Sequence, residues 1–406
     1  MDASPLAAAA RPAVVSQALA ALALALLLGL QPVTTDLYLP ALPLLRRELG
    51  AGMASAQLTM SALILSFGLS QMVWGPVADR FGRRPVLLTG LLLYTLASVG
   101  CATAASIDSL VVWRVLQGAA LASAVVVARA VIRDLYEPVQ GAHVMALALT
   151  GLGVVALLSP LVGGFVAAAS GWRAALYGVA LAGAATLGFI AWRLPETLSA
   201  PNVRALQLRP MLRGWAQIAR NPAFRAWALL VACSYGGLFT LLAGSSFVYI
   251  DALGLSPAAY GAVMAGATLS YIAGTFVCRR WIRLHGMRGA VRRGAWFTLA
   301  ACALASALAL AGVHAWWAVL LPQVLFLFGH GQHQPCGQAG VVSPFPQSAG
   351  AASALAGLLL ALVAFGVGRW LGLSLDGTAR PLMLGLAFWS ALTCAVAWTL
   401  VQRDPR

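Results

Sequence analysis

The sequence predicts an all-α polytopic membrane protein with twelve transmembrane helices in two six-helix halves. Three features predict it: the composition, the character of the apolar runs, and the spacing of the polar breaks between them. Of 406 residues, 61% are hydrophobic and 9% charged, with a mean hydropathy of +0.86. A soluble domain carries about 25% charged residues, and a chain this apolar could not keep its surface in water, so its solvent is lipid. Runs such as "ALAALALALLLGL" show neither period-two alternation nor a turn every ten residues, which disfavours a β-barrel. Each span must then satisfy its own backbone hydrogen bonds, and bundled α-helices do so.

Apolar windows of roughly 20 residues place the spans in order. Span 1 (14–38) follows Arg11 and has a signal-peptide-like apolar core, but runs on into Pro32 and Asp36 without a clear cleavage site. It is kept as a span. Spans 2 (53–74) and 3 (86–104) flank the polar stretch "GPVADRFGRRP", and span 4 (110–132) ends at Arg129 and Arg133. Span 5 (141–168) contains Pro160, and span 6 (173–192) follows after a short turn. Next comes the longest polar stretch, Arg193 to Arg225, with six arginines, one glutamate and four prolines. It reads as a solvated linker with one surface helix. The linker (193–225) separates an N-terminal half (1–192) from a C-terminal half (226–406). The second half repeats the pattern with spans at 226–250, 257–278, 294–313, 315–340, 349–371 and 380–401.

All 26 basic residues are arginine, and the formal net charge is +15. Such an excess can mark a nucleic-acid binder. Here the arginines punctuate apolar spans, which sets that reading aside. Twenty of the 26 fall on one side when both termini are placed inside; Arg46, Arg47, Arg114, Arg173, Arg369 and Arg380 fall on or near the other. That asymmetry predicts cytoplasmic termini. The inner stretch "CRRWIRLHGMRG" after span 8 faintly echoes "ADRFGRRP" after span 2, as expected of a 6+6 duplication with the substrate path between halves. The six cysteines are scattered without a CxxC and read as small hydrophobes.

Within "GPVADRFGRRP", Gly75 and Gly82 permit a tight turn and close helix approach. A loop that only set topology would need Arg80, Arg83 and Arg84 but not Asp79. The acid fits the positive N-terminal end of span 11 at "QSAGAASALAG", paired with Arg133; the plainer reading is a solvated acid. Asp36 lies ten residues before Arg46, about 15 Å along a continuous helix. An acid inside a span is expensive and usually functional, and Arg114 of span 4 lies at matching depth. Its proton occupancy would then respond to opening or occlusion of the site. The plainer reading makes Asp36 a helix cap before "YLPALP".

In span 5, "SPLVGGFV" places a kink at Pro160 beside Ser159, with close approach at Gly163 and Gly164. In span 10, His330, His333 and Cys336 recur every three residues, but Pro335 bends the set and no carboxylate is near, so no metal site is expected. Gln332, His333, Gln334 and Gln338 instead suggest a polar cavity wall. Tyr38, Gln71, Phe239, Tyr271 and Phe345 could add contacts, though aromatics in spans are mostly packing or interface anchors.

"GPVADRFGRRPVLL" closely resembles the loop 2–3 signature of the major facilitator superfamily. "TTDLYLPALP", "RVLQG", "RDLY", "FVYID" and "FPQSAGAASALAG" resemble the Bcr/CflA branch of its twelve-span drug:proton antiporters. The matches run in the expected order from about residue 30 to 360. The resemblance implies a proton-coupling acid at Asp36, with the motif arginine and glutamine at Arg114 and Gln117. It also implies a latch on Asp79 that holds the outward-facing state. "SPLVGGFV" resembles the antiporter signature Gly-Pro-x-x-Gly-Gly, except that Ser159 stands where the family prefers glycine. The upstream glycines of that signature fall on Ala146 and Val155.

The expected function is proton-coupled efflux of small amphipathic drugs or antibiotics across a bacterial inner membrane, by a monomer working through alternating access without a cofactor. The expected partners are a drug-like molecule, protons and the lipid bilayer. No nucleotide-binding loop, paired carboxylates or Ser/His/Asp arrangement suggests an enzyme. Proton-coupled uptake of a metabolite is the nearer alternative, and a membrane enzyme or sensor the more distant one.

Overall fold

The computed structural model describes residues 16–203 and 205–403; Arg11, Arg204 and Arg406 of the orientation count lie outside them. Among the described residues there is no β-strand. Nine helical stretches are long and apolar enough to cross a bilayer. Two of these, Pro138–Arg193 and Pro257–Leu310, turn back at one glycine each, Gly171 (φ 79°) and Gly286 (φ 68°), and supply two spans apiece. The remaining span, Trp316–Val342, is a helix of 27 residues whose glutamines and histidines dilute its hydropathy. The twelve expected spans are thus present, most of them with the inner-end boundary moved outward.

They moved because the helices continue past the apolar windows. Span 2 runs Met53–Phe81 and span 3 Arg83–Ala102, so the expected loop 75–85 shrinks to Gly82 alone. Arginine is a good helix former, and the helix goes on as it leaves the apolar slab. Gly82 sits at φ 104°, ψ 155°, a conformation that side-chain-bearing residues avoid.

Span 1 departs most from expectation. Its helix Gln17–Asp36 stops at Asp36, passes through a turn and a short 3-10 helix Leu39–Ala41, and resumes as Leu42–Glu48. Pro40 and Pro43 lie in that restart; proline lacks an N–H and disfavours the helical region for its predecessor. Asp36 therefore stands at a helix break in the middle of a long span. Span 7, Pro222–Ser246, likewise loosens at its outer end into a π-helical turn, Phe247–Ala252, over the "FVYID" motif. The linker contains one amphipathic helix, Leu208–Arg220, with only Ile218 buried.

The two halves meet chiefly where span 2 packs on span 11 and span 5 on span 8. At the second contact Gly164 faces the Pro257 carbonyl and Gly261 faces the Pro160 carbonyl, at 2.5 and 2.4 Å from where each Cβ would stand. Both pairs lie toward the outer ends. There Asp251, after span 7, also bridges Arg46 (3.4 Å) and Arg47 (3.7 Å) at the end of span 1. Gln57 of span 2 donates to the Ala243 carbonyl of span 7 at 2.7 Å. The outer side is closed. Large apolar side chains such as Leu181, Phe276, Leu310 and Leu373 point away from the bundle, as a lipid-facing surface requires.

Candidate functional site

A cavity of about 120 Å³ lies between the halves in the inner half of the spans. Span 1 contributes Gln31, span 2 Ile64, Phe67 and Gln71, and span 4 Val125 and Arg129. The second half contributes Tyr235, Gln334, Gln338, Ser353, Gly357, Leu360 and Ala361. Its wall is part apolar, part amide, and carries one arginine. The volume is below the 300 Å³ or so of a drug-sized pocket, so the halves stand close around the centre with the outer side shut. Arg129 crosses the interface, donating to Ser353 Oγ at 2.6 Å.

Of the residues expected on the wall, Gln71, Gln334 and Gln338 are there; the others belong elsewhere. Tyr38 is buried beneath the Arg114 guanidinium, whose Cζ stands 3.7 Å from the ring centroid, and its hydroxyl meets Thr59 at 2.9 Å. Gln117 accepts from Arg114 (2.9 Å) and donates to Ser98 (2.7 Å). Phe239 stacks behind Tyr235, Tyr271 lies against the ring of His330, and Phe345 packs edge-on with Phe224. Gln332 and His333 are fully buried within the second half. Each of these helices buries one face against its own half, and only a narrow stripe reaches the interface.

Among the described residues no group of three or more His, Cys, Asp or Glu is placed to hold a metal ion. His330 is bonded to Ser234 at 2.8 Å, and Cys336 faces Cys278 at 3.6 Å. The Val291 backbone lies beside His333, but neither ring nitrogen makes a hydrogen bond.

Asp36 accepts a hydrogen bond from the Thr35 hydroxyl at 2.7 Å. Among the described residues it forms no ion pair, and the expected partnership with Arg114 is not made. The span 1 helix ends at Asp36, so the side chain sits at a helix end rather than on the face of a continuous helix. Arg114 instead meets Tyr38, Gln117 and the Thr34 carbonyl, leaving its Nε and Nη2 without partners. Asp36 is half-buried and within electrostatic reach of Tyr235 in span 7 and Tyr260 in span 8. A carboxylate of the first half thus looks across at the second.

At the inner end Asp79 does not meet span 11 or Arg133. Its carboxylate pairs with Arg83 at 2.6 Å, and Arg83 also binds Asp134 at 2.8 Å. The helical continuation of span 2 puts Arg83 one turn beyond Asp79, within easy reach. Glu196 of the linker completes the network, accepting from the backbone N–H groups of Arg83 (2.9 Å) and Arg84 (3.0 Å). It is a carboxylate on the first turn of span 3, where the helix dipole favours it. Arg84 caps span 6 through the Ala191 carbonyl (2.8 Å), and Arg80 reaches the Val203 carbonyl (3.5 Å). Gly75 makes ordinary contact with Val126. Arg133 lies at the start of span 11, its Nη2 4.0 Å from where a Cβ on Gly350 would be. Asp134 and Glu196 were not singled out from the sequence. Their signals were an acid in "RDLY" and the lone acid of an arginine-rich linker.

This network makes a ranked prediction. Arg83 is 6% exposed and serves two carboxylates, whereas Asp79 is 44% exposed and serves one arginine. Breaking a fully buried pair costs about 3–5 kcal/mol. Given that partial exposure, Arg83→Ala should cost about 2 kcal/mol and Asp79→Ala about 1 or less. Thermal unfolding in detergent measures both; equal losses would contradict the hub role of Arg83.

In span 5, Ser159 bonds to the Val155 carbonyl at 2.7 Å. Pro160 lends its carbonyl to the Gly261 contact, Gly164 faces Pro257, and Gly163 lies against the Leu37 carbonyl just past Asp36, 2.3 Å from where its Cβ would be. The two glycines thus seat span 5 on the second half and on the span 1 break.

A family model described as the Major Facilitator Superfamily matches residues 18–368. Multidrug resistance protein D of Escherichia coli strain K12 is 31% identical over 344 residues, covering 83% of this chain and 84% of that protein. The bicyclomycin resistance protein homolog of Haemophilus influenzae is 24% identical over 396 residues, 94% of this chain and 96% of its own. Among solved structures, a partially occluded, inward-open xylose transporter from E. coli aligns with a TM-score of 0.75 at 14% identity, covering 97% and 100% of the two chains. At that identity the likeness concerns the fold.

Proposed function

Because this chain belongs to the Major Facilitator Superfamily, and is a multi-pass membrane transporter rather than an enzyme, we propose that it exports small amphipathic drugs or antibiotics in exchange for protons by alternating access. The observation that carries the reading is Asp36, a carboxylate without an ion-pair partner at a broken helix, facing the interface between halves. A structural acid would be paired or capped. One that must take and release protons needs an accessible face and a backbone that can move. The drug-resistance names of relatives aligned over most of the chain support the direction of transport and the substrate type.

In this reading Asp36 carries the proton and Arg114 fixes the span 1 break through the Tyr38 ring and the Thr34 carbonyl. The Asp79–Arg83–Asp134–Glu196 network holds the inner ends of spans 2, 3 and 4 as one rigid body. Residues 1–192 and 226–406, joined by the linker 193–225, rock against each other across the span 2–11 and 5–8 interfaces, and the outer contact between spans 5 and 8 parts when the outer side opens. The protein works as a monomer in the bacterial inner membrane, with both termini cytoplasmic. Each proton crossing 100 mV supplies about 2.3 kcal/mol.

The test uses inverted membrane vesicles acidified inside by respiration. Adding chloramphenicol or bicyclomycin should release protons from the lumen. Proton entry together with substrate would indicate symport, and no substrate-dependent flux across a panel of antibiotics, at normal expression, would refute drug:proton exchange.

Arg114→Lys should lower transport several-fold and reduce stability by about 1 kcal/mol. Lysine keeps the charge but cannot lie flat on Tyr38 while donating to Gln117. Wild-type transport and melting temperature in this variant would mean that only the charge matters.

A further inference from the structure

The charges enclosed by the spans are unbalanced. Arg129 lines the central cavity, yet its hydrogen-bond partner there is the neutral Ser353 hydroxyl; among the described residues it forms no ion pair. Its side chain is exposed, so the guanidinium is open to water and to a ligand entering the cavity. Arg114, toward the other end of the same helix, is fully buried, also lacks an acid, and has two donors unmet. No carboxylate stands among the residues that line the cavity. The rest of the polar wall, Gln31, Gln71, Gln334 and Gln338, is neutral amide that can donate to oxygen acceptors.

An arginine inside a membrane span is costly unless paired or hydrated. On the cavity wall Arg129 is held only by water and a neutral hydroxyl, and a ligand can supply the counter-charge. Its planar fork suits a carboxylate, a sulfonate or the ionised nitrogen of an acidic sulfonamide, each of which can receive two parallel N–H bonds. An organic cation would instead meet like charge in a confined, low-dielectric space. The apolar part of the wall, Phe67, Ile64 and Leu360, takes the body of an amphipathic molecule.

We propose that the central cavity selects anionic amphipathic substrates, weak acids with an aromatic or aliphatic body, and that Arg129 is the side chain that pairs with their charge. This rests on the export reading above and narrows it to a substrate class. Ser353 holds the empty guanidinium across the interface, and an incoming anion displaces that contact. Arg129 is thus a specificity-determining residue.

The test compares two fluorescent probes, anionic 1-anilinonaphthalene-8-sulfonate and cationic ethidium, in inverted vesicles and by titration of purified protein. In wild type the anion should bind and be transported in preference to the cation. Arg129→Gln should weaken anion binding and transport at least tenfold while leaving the cation unchanged or improved. Arg129→Lys should restore part of the anion activity, and Ser353→Ala should keep it, since the charge remains. An equal fall for both probes in Arg129→Gln would make Arg129 a gate contact and overturn the selectivity. So would wild-type transport of ethidium but not of the anion, which would leave drug export standing. Arg129-dependent anion binding without any proton-linked transport would support the selectivity and remove the export reading instead.

Discussion

Asp36→Asn should abolish proton-driven export while the protein folds, inserts and still exchanges substrate across the membrane. The substitution is nearly isosteric, and the one hydrogen bond that Asp36 accepts, from Thr35, can be made to an amide oxygen. No ion pair is broken, because none is formed among the described residues, so stability should change by less than about 1 kcal/mol. What disappears is the ability to bind a proton on one side and release it on the other. A 100 mV potential acting on one proton is worth about 2.3 kcal/mol, roughly a fiftyfold concentration ratio. The variant should lose that ratio and retain passive counterflow. Both are measured in proteoliposomes, and gradient-driven accumulation at the wild-type level would remove Asp36 from the mechanism.

The second large effect is expected at Gly164. A Cβ there would stand 2.5 Å from the Pro257 carbonyl oxygen and 3.2 Å from Ala258 Cα, backbone atoms that cannot rotate aside. In Gly164→Leu, span 5 must withdraw from span 8 where the outer side is closed. Overpacking of this kind costs about 1–3 kcal/mol. In the alternating-access reading this contact parts when the outer side opens, so the cost falls on one conformation, and 1.4 kcal/mol shifts the balance tenfold. Transport should fall at least tenfold, with cysteine pairs across the outer ends of spans 5 and 8 crosslinking less. Gly153, with nothing within 4 Å of its Cβ position, is the matched control: Gly153→Ala should be nearly silent. Undiminished crosslinking in Gly164→Leu would show that the contact does not hold the closed state.

Much of the fold was legible because hydropathy reports burial in lipid directly. The number and order of spans came from residue type and spacing, and so did the choice of Asp36, Asp79 and Gly163–Gly164 as candidate positions. Partner choice did not. Asp36 and Arg114 match in depth, but contact also depends on rotation about each helix, which the break before Pro40 reset. Asp79 was assigned to Arg133 on the assumption of a loop; once residues 75–81 are helical, Arg83 at i+4 is nearer. Glu196 was hidden because a linker glutamate is usually solvated, and nothing local announces that its chain folds back onto span 3. Most proposed wall residues failed for a related reason. A polar side chain on a span can face its own half as readily as the interface, and one sequence does not say which stripe is which.

The outer closure between the halves and the inner network within the first half rest on unlike interactions. Asp251 and its two arginines lie at the surface, with the Arg47 side chain 58% exposed, while Arg83 at the opposite end is almost fully enclosed. Dissolved ions weaken exposed charge pairs, over a screening length of about 8 Å at physiological ionic strength, and reach buried ones much less. Rising salt on the outer side should therefore loosen that closure and leave the inner network nearly untouched. The resting balance between conformations becomes a function of external osmolarity when the solute is ionic, and not when it is sugar.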